Sequence, residues 1–383
     1  MRILFAGGGT GGHIYPILAV TEELQKAAIN GKTNLDLRYF SDPERYNFLL
    51  ASNGILVSKI FSAKLRRYFD IRNLFDIPLF FISVIQAFWK VFWFMPNVLF
   101  SKGGPGSLPV ILACWFYRVP IIIHESDSIP GLANLMASRF ADRIAVSFNS
   151  ATEFFIAKNA GLSDKIALTG NPIRKSLIDG ALEKEAAKQI FGFNPQKPVI
   201  LIIGGSQGSA KINDFALNAA QELIKADIQV LHQTGVNNFE DAKNELKIIL
   251  ENYTEKEAAC YKILPYFEKD LKDAYAAADV IVSRAGGGSI FEIAAFGKPT
   301  ILIPLPKSAQ NHQIQNAYEY ADSGAAVVIE EANLMSNIFI SQIKKIISEP
   351  EKYKTMSEAA KNFSKPEAAK IISEEIIKLA EIN

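Results

Sequence analysis

The chain has 383 residues, 49% of them hydrophobic and 21% charged, with 41 Lys and Arg against 40 Asp and Glu. This ordinary globular composition excludes a disordered chain, and a net charge near zero gives no basis for a nucleic-acid partner. The length exceeds what one core usually fills, so two domains are expected.

MRILFAG opens the chain as a short apolar run and leads straight into the glycine turn GGGTGG at residues 7–12. Residues 14–28 then carry the periodicity of a helix. Because strand and glycine loop begin at once, no cleavable signal sequence is expected. LDLRYFS, PNVLFS, PIIIHES and DRIAVSF follow as strand-like runs separated by helical stretches. That alternation belongs to an α/β fold with a doubly wound parallel sheet, a Rossmann-like half. Within it, residues 77–95 (IPLFFISVIQAFWKVFWFM) are almost long enough to span a bilayer, but Pro78, Gln86 and Lys90 interrupt them. Phe81, Ile85, Phe88 and Phe92 recur at helical spacing, and Lys64, Arg66 and Arg67 lie just upstream. A buried helix, a helix lying on a membrane surface and a true span all fit, and the first two are compatible.

KPVILIIGGSQGS restarts the pattern with a second buried-type strand and glycine turn, and IQVLHQTG, ADVIVSRAG and PTILIPL supply further strands. We place an N-terminal domain at 1–173 and a C-terminal domain at 174–364. The amphipathic helix at 365–383 is expected to pack back on the N-terminal domain. Residues 1–173 carry 17 Lys and Arg against 12 Asp and Glu, the remainder 24 against 28. A mildly basic half suits phosphates or anionic lipid, although a solvated surface gives the same imbalance. Cys114 and Cys260 lie far apart without metal-ligand spacing, so a reduced, cytosolic chain without a metal site is expected.

The glycine turns carry the chemistry. GGGTGG fits GxGxxG, and Asp42 follows the second strand where a ribose-binding acid stands, which alone points to a nicotinamide oxidoreductase. The physical requirement is broader: glycine lets backbone N–H groups approach an anion, and the following helix N-terminus adds partial positive charge, so any diphosphate fits. His13 at the mouth of this loop is a candidate base near neutral pH, a structural histidine being the alternative. In the second half GGSQGS (204–209) adds the Ser206 hydroxyl. SRAGGGSIFE (283–292) leads into a helix with Glu292 one turn in, where a carboxylate either steadies the dipole or accepts ribose hydroxyls. HQIQNA puts Gln313 and Asn316, three apart, on one helix face, where amides suit sugar hydroxyls. Three such polar segments in one domain favour a nucleotide-sugar site.

The ordered set GGGTGGH, SKGG, HESDSIPGLAN, GNPIR, GGSQGS, SRAGGGSIFEIAAFGKP and HQIQNA, running from residue 1 to about 330, resembles the MurG family. These are the bacterial peptidoglycan glycosyltransferases that add N-acetylglucosamine (GlcNAc) to lipid I. The resemblance implies the GT-B arrangement, two Rossmann-like doubly wound parallel-sheet domains facing a central cleft. It implies UDP-GlcNAc as donor and undecaprenyl-diphosphate-linked N-acetylmuramyl (MurNAc) peptide, lipid I, as acceptor, with inverting transfer to the MurNAc C4 hydroxyl to give lipid II.

By the same resemblance the donor side takes Thr10, Gly11 and Gly12, with Arg174, Ser206, Gln207, Gly288 and Ser289 at the diphosphate. Glu292 serves the ribose, Phe267 lies beside the uracil, and Gln313 and Asn316 serve the GlcNAc hydroxyls. The acceptor side takes Gly8, Gly9, His13, Gly103, Gly104, His124, Glu125, Asp127 and Asn134, with His13 the first candidate base and Glu125 the second. The chain departs from the common family pattern in Ser126-Asp127, usually Gln-Asn, and in GGPGSLP, so the donor assignments are the firmer ones. A polyprenyl acceptor cannot leave the bilayer. We therefore expect Leu79, Phe81, Ile82, Ile85, Phe88 and Trp115, flanked by Lys64, Arg66 and Arg67, to dock peripherally on the anionic cytoplasmic face of the plasma membrane, near other cell-wall synthesis enzymes. No metal is expected to be obligatory, with Mg²⁺ at most an aid on the diphosphate. The competing readings are a nicotinamide oxidoreductase, a UDP-GlcNAc 2-epimerase or diacylglycerol glycosyltransferase of the same fold, and a non-catalytic sugar-nucleotide scaffold.

Overall fold

The computed structural model describes residues 1–61, 72–205, 208–267, 270–306, 308 and 311–382. The chain divides into two compact units, Met1–Lys175 with Lys365–Asn383, and Ser176–Ser364.

The first unit is built on seven strands: β1 (Arg2–Ala6), β2 (Asp36–Phe40), β3 (Ile55–Ser58), β4 (Val98–Ser101), β5 (Ile121–Glu125), β6 (Arg143–Val146) and β7 (Ile166–Leu168). Their order is β3-β2-β1-β4-β5-β6-β7, parallel throughout. Parallel neighbours require crossover helices on both faces, so the central strands are apolar on both sides, and β4 and β5 are buried along their whole length. Alternate residues feed two cores. Leu4, Leu99, Ile121 and Ile123 face one layer, while Ile3, Phe5, Phe100 and Ile122 face the other. The closing helix Ala368–Ile382 lays Ile372, Ile376 and Ala380 into the second layer, and Arg143 Nε donates to Glu375 Oε1 at 2.8 Å.

The apolar segment forms the helix Arg72–Phe94. Its docked stripe is Ser83, Ala87, Val91 and Phe94, whereas Phe81, Ile82, Ile85, Trp89, Phe92 and Trp93 point to solvent. The face singled out by its aromatic spacing is therefore largely the outer one. Phe88 sits at the margin, its ring 5.1 Å from that of Phe116 and 5.8 Å from that of Tyr117. The polar interruptions tie the helix to the segment after β3: Lys90 Nζ donates to Ser58 Oγ (2.6 Å) and Lys59 O (2.9 Å), and Gln86 Oε1 accepts from Phe61 N–H (3.2 Å). Among the described residues no helix is long and apolar enough to cross a membrane. Lys64, Arg66 and Arg67 lie outside the described residues.

The second unit carries six parallel strands: β8 (Val199–Ile203), β9 (Gln229–Gln233), β10 (Tyr261–Leu264), β11 (Val280–Ser283), β12 (Thr300–Leu302) and β13 (Ala326–Val328). Their order is β10-β9-β8-β11-β12-β13. The VILII of β8 is buried throughout, as a central parallel strand must be.

Candidate functional site

In each sheet the strand order reverses once near the middle, between β1 and β4 and between β8 and β11. Loops leaving the carboxyl ends of such a strand pair diverge to opposite faces and leave a crevice, the usual ligand position in open α/β sheets. Every glycine turn noted in the sequence leaves one of these four strands.

In the first unit, Ala6 pairs in register with Ser101, so the loops after β1 and β4 start level. The first loop turns into the helix Gly11–Gly31, with Thr10 at its N-cap. Thr10 Oγ1 turns to His13 Nδ1 (2.8 Å). The second loop folds back over the imidazole. Gly104 has φ +89°, and a Cβ there would lie 3.2 Å from Gly8 N and 3.4 Å from His13 Nε2, so only glycine lets the loops close on the ring. Tyr39 OH donates to Gly8 O (3.1 Å) from beneath. The His13 imidazole is held to a pKa of about 4, first by burial and then by the Lys102 charge, with Asp127 acting in the opposite direction.

The loop after β5 is tied to the same place. Asn134 Nδ2 (2.8 Å), Gly131 N–H (2.9 Å) and Asp127 N–H (3.1 Å) all donate to the Glu125 carboxylate. Burial, then Asp127, pushes the Glu125 carboxyl above its ordinary range, and those three donors pull it back. The second candidate base thus also anchors its own loop. His124 is buried, its Nε2–H donates to Gly170 O (3.0 Å), and its Nδ1 accepts from Lys102 Nζ. Asn134 Oδ1 is buried, accepts no hydrogen bond and points at Gly103. Lys102 went unnoticed in the sequence, where a lone lysine beside two glycines carries no signal.

Asp42 does not stand free as a ribose-binding acid. Its Oδ1 accepts from Glu44 N–H (3.1 Å) and pairs with Lys59 (3.2 Å). Arg174 belongs to the first unit, its guanidinium 4.8 Å over the Tyr15 ring.

In the second unit, the turn after β8 closes on Gly208, at φ +77°, where a Cβ would fall 2.2 Å from Thr234 O. Ser206 and Gln207 lie outside the described residues. Ser209 caps the helix Ala210–Asn218, its Oγ accepting from Ile212 N–H (3.4 Å). It also accepts from Arg284 (2.7 Å), which donates on to Ile303 O (3.2 Å) and Pro304 O (3.3 Å) and pairs with Glu331 (2.7 Å). Arg284, likewise missed in the sequence, thereby ties together the loops after β8, β11 and β12.

Gly288 and Ser289 are partly exposed in the first turn of the helix Gly287–Ala295. Glu292 Oε2 accepts from Tyr275 OH (3.0 Å), and Gln313 Oε1 accepts from Leu305 N–H (3.0 Å). Two of the expected donor-side residues are buried. Asn316 is fully buried and donates to Ala285 O (3.1 Å), steadying the glycine turn. Phe267 is buried with its ring edge on Phe191, 6.3 Å between centroids. Among the described residues no three His, Cys, Asp or Glu side chains form a metal-ligand group, and both cysteines are free.

Two doubly wound parallel sheets, each with glycine turns and helix N-termini at its switch point, make up the GT-B fold. Residues 3–146 match the glycosyltransferase family 28 N-terminal domain and residues 199–372 the family 28 C-terminal domain. A Bacillus cereus protein named UDP-N-acetylglucosamine–N-acetylmuramyl-(pentapeptide) pyrophosphoryl-undecaprenol N-acetylglucosamine transferase 2 is 37% identical over 98% of this chain and 99% of its own. The chain belongs to that family, the MurG glycosyltransferases. The crystal structure of Acinetobacter baumannii MurG has the same fold, with a TM-score of 0.73, 22% identity and coverage of 98% of this chain and 99% of that one. So does a UDP-GlcNAc 2-epimerase from Neisseria meningitidis bound to UDP-GlcNAc, at TM-score 0.70, 15% identity and coverage of 99% and 100%. Fold alone does not separate transferase from epimerase; family membership does, and it also removes the nicotinamide oxidoreductase reading.

Proposed function

We propose that this protein transfers GlcNAc from UDP-GlcNAc to the C4 hydroxyl of MurNAc in undecaprenyl-diphosphate-linked MurNAc-peptide, converting lipid I to lipid II for peptidoglycan. The observation that carries this reading is the end-to-end match with a transferase of that name, 98% of the chain against 99% of the relative, which leaves neither half for another task. Incubating labelled UDP-GlcNAc with a lipid I analogue and identifying the linkage formed is the test. Epimerised sugar nucleotide without transfer would sink the reading.

In the mechanism we propose, His13 accepts the proton of the C4 hydroxyl as its oxygen attacks the anomeric carbon. The new C–O bond forms as the bond to the diphosphate breaks, UDP leaves with the electron pair, and the configuration inverts. Its low basicity at rest leaves the imidazole unprotonated and ready at neutral pH. Charge building on UDP is met by backbone N–H groups at Gly288 and Ser289, by Ser206 and Gln207, and by Arg174. Glu292 and Gln313 orient ribose and sugar. These groups suffice without an obligatory metal, Mg²⁺ at most assisting.

We further propose peripheral attachment at the cytoplasmic face of the plasma membrane, where the lipid-linked acceptor resides and other cell-wall enzymes work. The outward apolar face of the helix Arg72–Phe94, continued by exposed Trp115 and Phe116, supports this placement.

A further inference from the structure

One buried cation on the acceptor side has no part in the mechanism above. Lys102 directly follows β4, donates its N–H to Ala6 O (2.9 Å) and is 3% exposed. It packs on Gly7 together with His13: a Cβ on Gly7 would lie 3.5 Å from the Cβ of each. Its ammonium is held by a directional network. His124 commits Nε2–H to Gly170 O (3.0 Å), so Nδ1 is a lone pair and accepts one Lys102 N–H. Ser126 gives its hydroxyl hydrogen to Asn171 Oδ1 (2.9 Å) and accepts a second (2.6 Å). A buried ammonium is tolerated only with such partners and balancing charge. Glu125 and Asp127, on the adjoining loop, supply that charge.

We propose, on the reading of His13 as the base, that Lys102 is a positioning residue of the transfer reaction. Its two donated bonds, to His124 and Ser126, lock the loop after β5 to Asn171, and its ammonium, when charged, opposes protonation of the His13 imidazole.

Among the described residues, the ionisable groups near His13 include Lys102 after β4, His124, Glu125 and Asp127 at the end of β5, Tyr39, Asp42 and Glu44 at and after the end of β2, and Arg174, stacked on Tyr15. Burial keeps the His124 ring and the Tyr39 phenol neutral, and Asp42 is paired with Lys59. Burial lowers Lys102 itself to about 7, so it is cationic across the acid range in which His13 takes up its proton. Burial and Lys102 oppose the imidazolium, and Asp127 favours it. Removing the ammonium must therefore raise the midpoint of His13.

The chain has four histidines, so each imidazole can be followed by NMR in the full-length protein labelled at histidine. Lys102→Met removes charge and donors together. Lys102→Gln removes the charge but keeps N–H donors for His124 and Ser126, and serves if the methionine variant fails to fold. Both are expected to raise the His13 midpoint by about one pH unit, the acid limb of kcat moving with it. Lys102→Arg should leave the midpoint low. An unchanged His13 midpoint in folded Lys102→Gln protein overturns the proposal. Full turnover in His13→Ala would instead remove the base reading, and this proposal with it, whatever the NMR titration shows.

Discussion

Thr10 Oγ1 and His13 Nδ1 stand 2.8 Å apart across the first turn of the helix Gly11–Gly31. When Nδ1 carries the proton and donates to Thr10, Nε2 turns its lone pair toward the Gly104 loop, where the acceptor hydroxyl is proposed to lie. His13→Ala should then lower kcat by about 10²- to 10⁴-fold. Thr10→Val, which loses the orienting bond, should cost about tenfold in kcat. Steady-state kinetics will check both, and UDP calorimetry should find wild-type affinity in His13→Ala.

The second unit has an acid-sensitive core. His232 is buried, donates from Nε2 to Asn213 Oδ1 (3.1 Å) and accepts at Nδ1 from Tyr261 OH (3.0 Å). Burial lowers its pKa to about 3. The unfolded chain takes up this proton near the ordinary histidine pKa, so below that point it binds more protons than the folded state, and stability falls as pH falls. At pH 4 the loss from His232 is on the order of 3 kcal/mol. Calorimetry should show Tm dropping steadily from pH 6.5 to 4. The drop should be shallower in His232→Gln, and a flat wild-type profile would contradict the assignment.

Two glycines separate the roles of the units. Gly104→Ala forces a Cβ onto Gly8 N and His13 Nε2 at a left-handed backbone position. Gly208→Ala drives one to 2.2 Å from Thr234 O. The first variant should lose turnover and acceptor affinity while UDP binding persists. The second should lose UDP binding at least about tenfold through displacement of the turn.

Membrane attachment is testable on side chains that the fold does not need. Phe81 is 62% and Trp93 68% exposed. Changing both to Ser removes anchors that each contribute on the order of 1 kcal/mol or more when inserted, so recovery with anionic vesicles should fall about tenfold or further. Turnover on a water-soluble acceptor analogue should not change. Phe88→Ser is the poorer probe, because Phe88 packs on Phe116 and Tyr117.

Chelation tests the metal proposal. With purified substrates, excess EDTA should leave transfer within about tenfold of its untreated rate, because backbone dipoles and Arg174 are proposed to carry the diphosphate charge. Abolished turnover, restored by Mg²⁺, would overturn that expectation.

Nine of the thirteen strands are readable as apolar runs, and the four that are not, β3, β7, β10 and β13, are the outermost strands of the two sheets. The reason is physical. Inner parallel strands are buried on both faces and read as continuous Ile, Val and Leu, whereas an edge strand such as IAL of β7 is short and largely solvated. The glycine turns, His13 and the closing helix were legible for a similar reason, since glycine clusters and helical stripes are local patterns.

The sequence by itself determined the two-unit α/β architecture, the loops that matter and the family, because strand alternation, glycine spacing and ordered motifs are written along the chain. Only the tertiary structure decided what the polar residues in those loops do. Glu125 anchors its loop, Asn316 props a glycine turn, Lys102 reaches 22 residues ahead to His124, and Arg284 reaches 75 residues back to Ser209. Hydrogen bonds and buried charges depend on which strand ends meet across a sheet, and no periodicity of the chain records that meeting.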